Sequence, residues 1–183
     1  MLPVPESNYK KPVGRAPIIL IFRSMKTATV SELKKELNDL PQKQLVDLCL
    51  TLAKYKKDNK ELLDYLLFEA HNKPNFIAEV KKEIDGHFEE LKFQSNLYFV
   101  KKSLRKLLRI INKYCKYVAD KALAAELHIY FCEKFKASRI PYKKSQLLVN
   151  MYEQELKKIN TLIAALHEDL QQDYLNDLER IME

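Results

Sequence analysis

Only two of the 183 residues are glycine, Gly14 and Gly86, and that scarcity constrains the fold more than any other feature of the chain. Sheets built from hairpins need tight turns, and the favoured turns hold residues at positive φ, where glycine fits without steric cost. A chain this poor in glycine cannot make many of them. It is rich instead in Leu, Lys, Glu and Ala, which favour helices. Hydrophobic residues make up 46% of the chain, enough for a packed core. The expectation is an all-α, single-domain antiparallel helical bundle, or a short irregular α-superhelix, of about six to eight helices.

Residues 1–24 stand apart. They hold Pro3, Pro5, Pro12 and Pro17 and show no helical period, as expected of a mobile tail. The apolar run Ala16–Phe22 follows Lys10, Lys11 and Arg15 and mimics a signal peptide, but Arg23 closes it and no small-residue cleavage site follows. Met25 opens MKTATVSELKKEL, which reads as a natural start, so residues 1–24 are expected to come from a misassigned start codon and residues 25–183 to form the helical domain. A native peptide spanning Arg23 to Lys26 in mass spectrometry would overturn this. Cys49, Cys115 and Cys132 form no CxxC pair and are odd in number, which with no secretory signal points to a reducing compartment, the cytoplasm. No stretch approaches the roughly 20 apolar residues of a membrane span, so no membrane partner is expected.

Helix signals are dense after Met25. Thr29 and Glu32 have capping-box spacing before Leu33 and Leu37. Pro41 suits the first turn of a second helix with the stripe Leu45, Leu48, Cys49 and Leu52. Asp58 with Glu61 opens a third, carrying Leu62, Leu63, Leu66 and Leu67, with His71 placed to cap its end. Pro74 starts a fourth, with Phe76, Ile77, Val80, Ile84, Phe88 and Leu91 inward. A fifth, from about Ser95 to Val118, turns Val100, Leu104, Leu107, Leu108, Ile111, Cys115 and Val118 to the core, and a sixth runs from about Asp120 to Lys136. The last stretch, from about Lys144 to Ile181, has its break expected near Ile159 to Thr161. Short connections favour antiparallel hairpins.

The net charge of +7 hides an asymmetry. Residues 94–149 carry 13 basic and three acidic side chains, while residues 150–183 carry three basic and eight acidic ones. On the fifth helix Lys102, Arg105, Arg109, Lys113 and Lys116 recur at three- and four-residue spacing opposite the apolar stripe. Such a stripe can follow a phosphate backbone, with Tyr98, Tyr114 and Tyr117 as stacking faces beside it. The commoner fate of a lysine-rich face is plain solvation, or neutralisation by acidic segments such as the C-terminal one. No helix-turn-helix, zinc-finger or RNA-binding-sheet signature favours the sharper reading.

Catalytic chemistry has little to start from. His128 and Cys132 lie four apart on one helix, but two ligands do not make a metal site, and a thiol beside Phe131 and Phe135 reads as core. Cys49 and Cys115 fall in apolar stripes and read as buried, inert thiols. No glycine-rich loop cradles phosphate. No metal and no cofactor is expected.

Two stretches carry a resemblance. One runs from Val30 to Phe68 and contains SELKKELNDLPQKQLVDLCLTLAKY; the other is SLRKLLRIINKYCKYVADKALAAELHIYFCEKF, Ser103 to Phe135. Together they resemble a family of small all-helical bacterial proteins of unknown function. That resemblance implies a bacterial cytoplasmic protein and transfers no site residues. The leading expectation is a non-enzymatic protein-interaction module, through an unknown protein partner or self-association. Its motive is the C-terminal series Leu147, Leu148, Met151, Leu156, Ile159, Leu162, Ile163, Leu166, Leu170 and Tyr174. The alternative is nucleic-acid or acidic-partner binding through the basic helix at about 95–118. An enzyme ranks third.

Overall fold

The computed structural model describes residues 27–94 and 96–182. Among these residues there are eight α-helices and no strands, so the chain is all-α. The tail expected at residues 1–24 lies outside the described residues. No helix among them is long and apolar enough to cross a membrane. Contacts divide the chain into two units, one ending at Val46 and one running from Asp47.

The first unit contains α1 (Val30–Asn38) and the opening of α2 (Gln42–Tyr55). The capping box forms as its spacing predicts: Thr29 Oγ1 accepts from Glu32 N, and Thr29 N donates to Glu32 Oε2 at 2.7 Å. Pro41 stands just before α2, where its carbonyl accepts from Leu45 N. The expected core stripe of α2 is not buried. Leu45 is half-buried, Leu48 and Leu52 are 41% and 53% exposed, and Cys49 is exposed as well. The period marks α2 as amphipathic, but none of its residues is buried.

The second unit holds the core. Lys56, with extended backbone and no side-chain cap, leads into α3 (Lys57–Asp64), so Asp58 and Glu61 do not form the cap expected of them. A π-helical turn, Tyr65–Glu69, follows, and then a 3-10 turn, Ala70–Asn72. Widening the helix by one residue shifts its phase by about 100°. Tyr65, still in α register through its N–H to Glu61 O, is buried in the core, while Leu66 and Leu67, expected inside, are exposed with Phe68. The cap at the next joint belongs to Asn72, whose side chain accepts from Asn75 N at the start of α4 (Lys73–Leu91); His71 is exposed beside it.

From α4 onward the stripes are buried much as read. Ile77, Val80, Ile84, Phe88 and Leu91 of α4 meet Val100, Leu104, Leu107, Leu108, Ile111 and Val118 of α5 (Leu97–Val118) in one core. Phe76 and Cys115 are half-buried at its edge. Ala119 ends α5 at φ 51°, a left-handed conformation in which its Cβ is strained, and Asp120 at once caps α6 (Lys121–Ala137) by accepting from Ala122 N and Leu123 N. α6 buries Ala125, Leu127, His128, Ile129, Phe131, Cys132 and Phe135, and it packs against α4, α5, α7 (Gln146–Ile163) and α8 (Glu168–Met182).

The break between α7 and α8 falls at 164–167, a turn later than expected. Asn160 and Thr161 look like helix breakers in the sequence. Each instead donates back to a carbonyl of its own helix, Leu156 O and Lys157 O, which lets buried Ile159 and Ile163 stay in α7. The C-terminal apolar series is covered within this chain: Leu148, Met151, Ile159 and Ile163 are buried, as are Leu178 and Ile181, while Leu147 and Leu170 remain exposed. Tyr152 clasps the end of α8 by donating to Ile181 O at 2.9 Å.

Candidate nucleic-acid interface

α5 runs 22 residues, about 33 Å at 1.5 Å per residue. Its apolar stripe is committed to α4 and α6, so its opposite face is left to solvent. Lys102, Arg105, Arg109 and Lys116 are exposed there, with Lys106 between them. Arg109 lies back along the helix, its Nε donating to Arg105 O. Among the described residues none of Lys102, Arg105, Arg109 and Lys116 has a carboxylate within ion-pair distance, whereas Lys113 is half-buried and meets Glu61 of α3 at 2.5 Å. The stripe is therefore open except at Lys113.

Among the described residues no carboxylate of the acidic C-terminal segment pairs with it. Glu155 lies 2.7 Å from His128, Asp177 meets Arg180, and Asp169 meets His167. Arg180 also reaches Glu133 of α6.

Of the three tyrosines expected to offer stacking faces, two are occupied. Tyr114 donates to Glu83 Oε2 at 3.0 Å, and Tyr117 to Asp58 O at 3.1 Å. Both belong to an aromatic cluster with Phe76 and Tyr65. Burial, with Glu83 beside one and Glu61 beside the other, pushes each phenol up to about 12. Tyr98 alone is open, 67% exposed, and it stands edge-on to Phe99, 50% exposed, with ring centroids 5.4 Å apart. Phe93, in the turn before α5, is 91% exposed. The sequence reading missed Phe93 and Phe99. Phe99 was legible in principle, since it precedes Lys102 by three positions and Lys106 by seven, on one helix face.

A groove of about 340 Å³ follows that face. Phe99, Lys102, Lys106 and Arg109 line it from α5, Leu91 from the end of α4 and Gln94 from the turn after it, and Glu90 adds one carboxylate. A larger hollow of about 880 Å³ lies where the ends of α4 and α6 meet the start of α5. Its charges are mostly spoken for. Lys134 lies 2.7 Å from Asp85, to which Tyr130 also donates, and Lys92 meets Glu89. Burial pushes the Asp85 carboxyl up, but the hydrogen bonds from Lys134 and Tyr130 outweigh it and hold the group below the usual carboxylate range.

The interior brings together three residues that the sequence kept apart. Cys115 Sγ is 3.9 Å from His128 Nε2, and His128 Nδ1 is 2.7 Å from Glu155 Oε2. Thiol, imidazole and carboxylate stand in the order of a nucleophile, a base and an orienting acid. The chemistry does not follow. Burial pushes the Cys115 thiol up to about 11, against a weaker opposing pull from Lys158, and neither hollow reaches any of the three. Burial pushes the Cys132 thiol up as well. Among the described residues no three His, Cys, Asp or Glu side chains gather as they would around a metal ion. His128 Nδ1 and Glu155 Oε2 lie close together inside the bundle, but neither makes a well-directed hydrogen bond.

The sequence matches no protein-family model, no curated protein and no solved structure.

Proposed function

We propose that this protein binds nucleic acid without sequence preference, the outer face of α5 lying along a phosphate backbone. One observation carries the reading: Lys102, Arg105, Arg109 and Lys116 stand exposed on one face without carboxylate partners among the described residues, while Asp177 of the acidic C-terminal segment pairs with Arg180. Cations left unpaired in this way release counterions when they meet phosphates, and four such contacts give a log–log salt slope of roughly −3 to −4.

The test is fluorescence anisotropy of the full chain with generic DNA and RNA, titrated across salt. Binding should fall steeply with salt, and reversing Lys102, Arg105 and Arg109 to Glu should weaken it at least about tenfold while leaving the helical circular dichroism unchanged. Absence of binding at low salt ends the proposal.

A second reading, self-association as a protein-interaction module, has its own support in α2. The C-terminal series lends it little, most of its members being covered within the chain. Leu48 and Leu52 are exposed four positions apart on one face of α2, and Lys43, Lys54 and Asp47 leave that helix too weakly charged to repel a second copy. Sedimentation of the full chain against concentration decides it: a dimer that Leu48→Ser with Leu52→Ser dissociates supports the reading, and a monomer throughout removes it.

A further inference from the structure

A duplex hides its base faces and offers a protein chiefly its backbone, whereas a single strand presents a π-face with every base. The start of α5 is built for the second case. Phe93, Tyr98 and Phe99 are exposed aromatic rings within seven consecutive residues, at the end of the helix where the open cations begin. Exposed aromatic surface costs free energy in water, and a cation stripe that only tracked a duplex backbone would not need it. Phe99 also shares its helix face with Lys102, Lys106 and Arg109, and the groove joins all four. From Phe99 to Arg109 the helix rises about 15 Å, the span of roughly four phosphates along one stacked strand.

Resting on the nucleic-acid reading above, we infer that α5 takes single-stranded nucleic acid in preference to duplex, with a base stacked on Phe99 and the adjoining phosphate in the groove among Lys102, Lys106 and Arg109. Tyr98 packs edge-on against Phe99, whose ring remains half exposed. Gln94 lines the groove wall, its Oε1 accepting from Asn96 N, which leaves its amide N–H groups to meet a base edge. Among the described residues Glu90 is the one lining group that opposes a phosphate, and its exposed side chain lies 4.0 Å from His87. Its removal should therefore strengthen binding.

The experiment is anisotropy of the full chain with a labelled oligo-dT 15-mer, an oligo-U 15-mer and a 15-base-pair duplex at one salt concentration, with polyglutamate of similar length as competitor. Either single strand should bind more tightly than the duplex. Phe99→Ala should weaken single-strand binding roughly tenfold while leaving duplex binding unchanged. Phe99→Leu, which keeps the bulk and loses the ring, should do nearly the same and guards against a folding defect. Glu90→Gln should tighten single-strand binding a few-fold. If both Phe99 variants bind single strands as the wild type does, while the charge reversals still abolish binding, the backbone reading survives and the stacking inference fails. Competition by polyglutamate as effective as that by unlabelled oligo-dT overturns the inference in favour of an acidic protein partner. No binding to any probe removes both readings.

Discussion

α2 and α5 are written in the same pattern and meet opposite fates. Each repeats apolar side chains every three or four positions, with charge on the other side. In α5 the apolar stripe disappears into the core and the cations are left outside; in α2 no residue is buried and the leucines themselves face solvent. Periodicity says which side of a helix is apolar. Whether that side is covered depends on a second surface, and α5 has two, α4 and α6. α6 can serve so many neighbours because most of its circumference is apolar.

The sharpest way to break this contrast is truncation on the two stripes. Leu104→Ala or Ile111→Ala in α5 should cost about 2–5 kcal/mol in urea unfolding, since each is fully buried and leaves a cavity. Leu52→Ala in α2 should stay within about 0.5 kcal/mol, as exposed substitutions do. A comparable loss at Leu52 would mean that α2 is covered in solution, and the contrast would collapse. Next in size is Ala119→Gly. The residue sits at φ 51°, where α5 gives way to α6, so removing its Cβ should stabilise the protein by up to about 1 kcal/mol, the relief of left-handed strain less the added freedom of the unfolded chain. A loss of stability there would show that the joint depends on alanine's contacts and not on its backbone.

Much of the second unit was legible because its helices obey one rule apiece: a stripe, a cap, a short joint. The inward faces of α4 and α5 follow directly from spacing, and Asp120 stands where an N-cap residue belongs. What escaped the sequence has local physical causes. The π-helical turn that begins at Tyr65 adds a residue that no periodicity announces, and Leu66 and Leu67, expected inside, are left exposed. The α7 break moved because Asn160 and Thr161 found acceptors within their own helix. At the candidate interface the cations were legible as a stripe, but their pairing was not. Lys113 differs from Arg109 only in lying opposite Glu61, 52 positions away in sequence. Tyr114 and Tyr117 differ from Tyr98 in the same way, through partners that only the fold supplies.

That single neutralised cation gives the smallest and most discriminating effect. The Lys113 hydrogen bond holds the Glu61 carboxyl below its ordinary range, so the carboxylate favours the folded state at neutral pH. Because the folded value is depressed, this contribution is fully present above the unfolded value of about 4.3 and is lost as pH falls through the folded one. Lys113→Met should therefore flatten the acid limb of the stability profile below about pH 4.3, and the pair as a whole should be worth no more than about 1 kcal/mol. Glu61→Gln carries the same pair into function. It leaves Lys113 without its carboxylate on a face that already displays Lys102, Arg105, Arg109 and Lys116. If the strand runs the length of α5, the released cation should steepen the log–log salt slope of oligonucleotide binding by about one unit and tighten binding a few-fold at low salt. An unchanged slope would stop the track at Arg109, and would confine the interface to the aromatic end of the helix.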